Sequence, residues 1–280
     1  MKKKGIVYIL LSALFFSIMA AFVKSIPEIP LTEKMFFRNF IGLIAISVTL
    51  YRKKATLKPK RPVLMVGRAL FGLAGVGLYY AALERLPLAN AVMLNKLSPF
   101  FVVIFAVLFL HEKVNGKQKT ALLIAILGAA LVVRPGPYSS VFPGLLALMS
   151  AAFAGAAYTL VRKLTQTDAP MLIVFYFCLI SSVILLPIMA VEGLVVPDVK
   201  QLISLIGIGV SALIAQLFMT NAYQYAPASE LSIYTYSDIL FSFGIGIIIW
   251  SELPDLIALF GGILIVIAGI INYVNGLKKV

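Results

Sequence analysis

The sequence is poor in the groups that carry covalent chemistry. Its 280 residues include one cysteine, Cys178, and one histidine, His111. A single cysteine cannot close an intrachain disulfide. Catalysis usually needs a nucleophile with its base, or a cluster of metal ligands, and no H-E-x-x-H or comparable ligand set occurs. Charged residues make up only 12 % of the chain, with 11 acidic against 24 basic side chains. The period-2 alternation of a membrane β-barrel is missing as well. These absences argue against an enzyme, and no cofactor or metal is expected.

What the chain does have is apolar surface. The hydrophobic fraction is 61 % and the mean hydropathy +1.03, far above the roughly 45–50 % apolar content of soluble domains. Ten apolar runs cover residues 5–23, 32–51, 63–83, 88–110, 118–134, 142–161, 170–190, 201–222, 228–250 and 256–274. A helix needs about 20 residues to cross a bilayer, so the expected fold is an all-α polytopic membrane protein. The opening Lys2-Lys3-Lys4 before an apolar run has the look of a signal peptide. That run is too long for a secretory h-region and lacks a small-x-small cleavage site, so it reads as an uncleaved first helix.

The loops orient the bundle. With the amino terminus inside, the cytoplasmic segments hold sixteen Lys and Arg residues and the opposite segments five. This is the positive-inside bias, and it places both termini and the Arg52–Arg61 loop in the cytoplasm of a cell whose plasma membrane holds the protein. The net charge of +13 is then a topology signal assisted by anionic lipid, and nucleic acid is not an expected partner.

The chain also repeats itself. Residues 81–90, AALERLPLAN, parallel residues 221–230, NAYQYAPASE, at an offset of 140, and the same offset pairs Glu112 with Glu252. We therefore expect two five-helix halves, 1–137 and 138–280. An odd number of spans per half turns the second upside down. Inverted repeats place a solute site near mid-depth between the halves.

These features resemble the EamA-type members of the drug/metabolite transporter superfamily. The resemblance rests on Pro87 with Glu112, Pro227 with Glu252, Phe37-Arg38 in the second span, Tyr79-Tyr80-Ala81-Ala82-Leu83 closing the third, and Leu97-Ser98-Pro99 before the run to Glu112. It covers essentially the whole chain. His111 and Ser251 stand where the family usually has Gly, and the Trp and Asn frequent early in the first span are replaced by LFFSIM. Such a resemblance implies secondary transport of a small metabolite, often outward, by alternating access of the two halves. The competing readings are a membrane-embedded receptor, a channel or an enzyme without transport.

Ionisable groups inside a bilayer are expensive and mark function by default. Lys96 lies near mid-depth in the fourth span, and Asp238 at similar depth in the ninth, in a stripe with Glu230 and Tyr234. Lys96 could hold an anionic group and Asp238 an amine or a transported proton; the alternative is a structural ion pair. Pro99 should kink the fourth span beside Lys96. Arg38 either attracts anions into a cavity or snorkels to the surface. Arg68, nearer the cytoplasmic end, reads as a headgroup or loop contact. Ser98, Tyr80, Tyr234, Tyr236 and Gln216 complete the expected lining. Glu112 and Glu252 should each lock one closed state. The glycines of the third and tenth spans read as close-packing positions. The substrate suited to this set is an amino acid or an organic anion, carried by a monomer or a homodimer.

Overall fold

A computed structural model describes residues 2–110, 116–133, 141–222, 225, 231–253 and 255–277. Glu112, His111, Pro227 and Glu230 fall outside the described residues. Among the rest the chain is helical: α1 (Lys2–Ser25), α2 (Leu31–Arg52), α3 (Pro62–Leu83), α4 (Leu88–Asn95), α5 (Ser98–Leu110), α6 (Gly116–Val133), α7 (Val141–Leu164), α8 (Pro170–Glu192) and α9 (Val199–Ala222). A 3₁₀ helix (Ser232–Tyr236), α10 (Ser237–Trp250) and α11 (Leu256–Leu277) follow. Ten segments are long and apolar enough to span a membrane, with α4 and α5 sharing one span and the 3₁₀ helix and α10 another. The protein is a multi-pass membrane protein.

Proline and left-handed residues set several boundaries. Pro62 and Pro170 open α3 and α8, where a missing N–H costs nothing. Pro30 and Pro87 stand immediately before α2 and α4. Gly193, at φ 87°, stops α8, and Ser251, at φ 55°, stops α10.

The helices pack in pairs: α1 on α9, α3 on α7, α6 on α11 and α2 on α8, with α4 crossing α10 near the centre. The core is built from small and medium residues contributed by most helices, among them Ala20, Ala82, Ala91, Ala147, Ala151, Leu205 and Ala268. Small side chains let helices approach where lipid removes the hydrophobic drive between them. One backbone-to-backbone approach of this kind joins α6 and α11. A Cβ on Gly128 would stand 2.6 Å from the Gly261 carbonyl oxygen, and one on Gly261 would stand 2.7 Å from that of Gly128.

Two expected helices are not continuous. The fourth span breaks at Lys96–Leu97, between α4 and α5. Pro99 therefore does not kink a running helix; it lies in the first turn of α5, where its ring fits without displacing a hydrogen bond. In the ninth span the chain runs as 3₁₀ from Ser232 to Tyr236 before becoming α-helical. At three residues per turn, the stripe expected through Tyr234 and Asp238 is lost. Tyr234 instead packs on the small cluster of Ile9, Ala222 and Leu231.

Candidate functional site

The two broken spans bring Lys96 and Asp238 together. Lys96 caps the C-terminal end of α4, its N–H bonded to the Val92 carbonyl at 3.0 Å. Asp238 lies in the first turn of α10. A helix carries partial negative charge at its C-terminus and partial positive charge at its N-terminus. Each side chain thus stands at the helix end that favours its charge. Lys96 Nζ stands 2.7 Å from Asp238 Oδ2, with the two side chains 19 % and 8 % exposed.

The other carboxylate oxygen is held from α1. Ser17 Oγ lies 2.5 Å from Asp238 Oδ1, 3.1 Å from the Asp238 carbonyl and 3.1 Å from that of Ala13. Ser242, one turn beyond Asp238, donates to Ser17 Oγ at 3.1 Å. A hydroxyl has one proton to give, and the short bond to a carboxylate is the strongest of the three. Ser17 therefore donates to Oδ1 while Ser242 fills its lone pair. Tyr79, on α3, lies within electrostatic reach of Asp238. The centre is a charged pair tied to α1, α4 and α10.

The other expected lining residues make contacts of their own. Tyr80 is fully buried, and its hydroxyl meets Met19 Sδ at 3.6 Å. Tyr236 packs against Gly269 of α11. Ser98 is buried at the start of α5, where its carbonyl faces Gly155 of α7. Gln216 is half-buried on α9 and engaged with a neighbour.

Arg38 turns inward. Its guanidinium lies 5.7 Å from the Phe177 ring centroid, and its NH1 donates to Asn39 Oδ1 at 3.4 Å. Arg68 is not a headgroup contact: it lies over the same ring at 4.0 Å, inside the bundle.

The sequence reading missed Ser17 and Ser242. Ser242 follows Asp238 by four residues, so helical spacing alone could have found it. A lone serine such as Ser17 is cheap in an apolar span and carries no comparable signal.

At the Lys24 end of the bundle, Glu252 forms a compact latch. Its Oε1 lies 2.5 Å from Lys24 Nζ, and its Oε2 accepts the Leu88 N–H at 2.8 Å. Lys24 also donates to the Leu86 carbonyl at 2.5 Å and lies over the Trp250 ring. Glu252 thus caps α4, balancing its N-terminal dipole, and ties it to α1. Further links at this end join Lys34 to Glu84, Thr32 to Glu192, and the Val195 N–H to Glu33.

At the other end Asp168 accepts the Lys60 N–H at 2.8 Å and the Thr167 hydroxyl at 2.7 Å. These bonds hold its carboxyl below the ordinary 3.8. Among the described residues no three His, Cys, Asp or Glu side chains gather as a metal site.

A family model described as the EamA-like transporter family matches residues 3–134 and again 142–274. The pseudopaline exporter CntI of Pseudomonas aeruginosa is 33 % identical over 268 residues, covering 95 % of this chain and 94 % of its own. Solute carrier family 35 member G1 of Homo sapiens is 31 % identical over 282 residues, covering 94 % of this chain and 77 % of its own. The S-adenosylmethionine uptake transporter of Rickettsia felis is 27 % identical over 237 residues, covering 84 % and 80 %. A solved crystal structure with 17 % identity superposes at a TM-score of 0.69 over 99 % of both chains, a likeness of fold alone. With ten spanning segments and the family model matched twice along its length, the chain belongs to the EamA-like transporter family, whose named relatives here are transporters and not enzymes.

Proposed function

We propose that the protein is a secondary transporter of the plasma membrane that moves a small organic metabolite, an amino acid or an organic anion, by alternating access of two inverted five-helix halves, 1–137 and 138–280. The observation that carries this reading is the Lys96–Asp238 pair at the meeting of two broken spans. Broken helices at mid-depth are where transporters of this kind bind solutes and coupling ions. The packing supports two equivalent halves: α1 on α9 answers α3 on α7, and α1 on α10 answers α5 on α7. Among the relatives are an exporter and an uptake transporter, so direction is a property of the individual protein.

In this mechanism substrate or a proton competes for the pair. A substrate carboxylate replaces Asp238 at Lys96, while an amine or a proton takes Asp238 from Lys96. Only the two exchanges together, carboxylate on Lys96 and amine or proton on Asp238, keep both charges compensated, which a low-dielectric centre demands. Freed of Lys96, α4 and α5 can move against α10, and the latch at Glu252 opens or closes the Lys24 end. Glu112, its counterpart at offset 140, serves the opposite end.

Charge-pair replacement tests this. Lys96→Met and Asp238→Asn should each lower folded yield, since stranding one partner of a buried pair costs about 3–5 kcal/mol. The double replacement restores yield and remains inactive in proteoliposomes at matched protein levels. Full transport by the double variant would mean that the pair is structural and that substrate binds elsewhere.

A further inference from the structure

A second cluster of charge lies away from the Lys96–Asp238 pair. Arg38 enters α2 from the Lys24 end, and Arg68 enters α3 from the opposite end. Each lies roughly 10 Å along its helix at the ~1.5 Å rise per residue. From that depth an arginine ordinarily snorkels back to the headgroups. These two instead point at one aromatic ring, Phe177 of α8, with guanidinium centres at 5.7 and 4.0 Å from its centroid. Two like charges thus share one aromatic ring inside the bundle. No carboxylate among the described residues lies within ion-pair distance of either. Arg38 Nε and both Nε and NH1 of Arg68 are sealed from solvent with no hydrogen-bond partner. One turn along α8, Ser181 and Ser182 are buried with their hydroxyls equally unpartnered. Buried polar groups are normally satisfied, and orphaned guanidinium N–H groups are the costliest to leave so.

The backbone makes room for this arrangement. Gly72 lies one turn after Arg68, and a Cβ there would stand 2.7 Å from Arg68 NH1 and 3.0 Å from Phe177 Cε2. Unlike Gly128 and Gly261, it clears space for a guanidinium instead of for a helix. The cluster is joined to the central pair by α3, which carries Arg68 and packs against α1, α2 and α4.

We infer that Arg38 and Arg68, with Phe177 between them, form an oxyanion subsite that receives a carboxylate of the transported molecule. The guanidinium fork matches the two oxygens of a carboxylate, and the apolar cluster of Ala69, Phe177 and Cys178 gives an attached carbon skeleton a surface that inorganic phosphate cannot use. Together with Lys96 and Asp238 the subsite suits a substrate with at least one carboxylate, and it favours a polycarboxylate or a zwitterion over a simple cation. The inference rests on the transporter reading for its account of why the anion is there.

Calorimetric titration of the purified full chain in lipid nanodiscs tests it, with succinate, inorganic phosphate and butane-1,4-diol as probes. Succinate should bind saturably, phosphate more weakly and the diol not at all. Arg38→Gln and Arg68→Gln should each weaken succinate about tenfold, the loss of one charge-assisted contact. Gly72→Ala keeps every charge but displaces the Arg68 guanidinium, so it should weaken succinate too and carries the test if an arginine variant fails to fold. Absence of saturable succinate binding, or unchanged affinity in Arg38→Gln/Arg68→Gln, overturns the subsite. Displacement of succinate by added phosphatidylglycerol also overturns it and assigns the pair to a lipid headgroup. Succinate counterflow in proteoliposomes separates the two claims. Binding without counterflow of any probe keeps the site and counts against the transporter reading, whereas counterflow surviving the double arginine replacement refutes the site alone.

Discussion

Glu252→Gln isolates the latch at the Lys24 end, because glutamine keeps the shape and removes the charge. Two contacts weaken. The Lys24 ion pair, between side chains 11 % and 21 % exposed, becomes a neutral hydrogen bond. The cap on Leu88 loses its charge assistance, and charged hydrogen bonds are worth roughly twice neutral ones. At about 1 kcal/mol for each change, the closed arrangement loses about 2 kcal/mol, which displaces a two-state equilibrium roughly 30-fold. The reporter is Ala91→Cys in a Cys178→Ala background; Ala91 is fully buried on α4 behind the latch. Its labelling by a membrane-impermeant maleimide should accelerate on that order. Lys24→Gln should have a smaller effect, since Glu252 still caps α4. Equal labelling rates with and without Glu252→Gln, at matched melting temperature, would show that the contact does not control access.

Two further outcomes follow from packing and charge. Asp168 ionises more readily folded than unfolded, so its bonds stabilise the protein above pH 3.8 and lose that effect as pH falls through its lowered folded value. Asp168→Asn should therefore melt below the wild type at pH 7 and converge with it well below pH 3.8; a gap that persists in acid would contradict this account. Gly128→Ala inserts a methyl where the Gly261 carbonyl already stands, so thermal unfolding should show a loss of about 1–3 kcal/mol from overpacking. Gly244→Ala, with nothing within 4 Å of its Cβ position, should not.

The parts of this protein that were legible in its sequence are those where the bilayer imposes a cost. Ten apolar runs, and charges stranded within them, announce themselves because hydrocarbon tolerates neither open backbone nor lone ions. Lys96 and Asp238 were legible for that reason, and the structure sets them 2.7 Å apart. Arg68 was misplaced because depth along a helix locates a Cα, whereas an arginine side chain can reach either way; the space over Gly72 decides it. The 3₁₀ segment Ser232–Tyr236 carries no periodic mark, so the packing of Tyr234 on Ile9, Ala222 and Leu231 was not legible. Ser17 costs little anywhere in a span, and only its partner on α10 gives it meaning.

The break at Lys96 also has an electrical consequence. A membrane potential falls across the low-dielectric layer, and moving one charge through the full drop is worth about 2.3 kcal/mol per 100 mV. Lys96 and Asp238 lie part-way along their spans, Lys96 roughly 12 Å from the Leu88 end by helical rise. A proton or amine that reaches Asp238 from either face therefore crosses only a fraction of that drop, near half. Occupancy of the site should then vary with voltage even when the complete cycle moves no net charge. A fast transient current on substrate addition, without a sustained one, is the signature such a mid-depth carboxylate would leave.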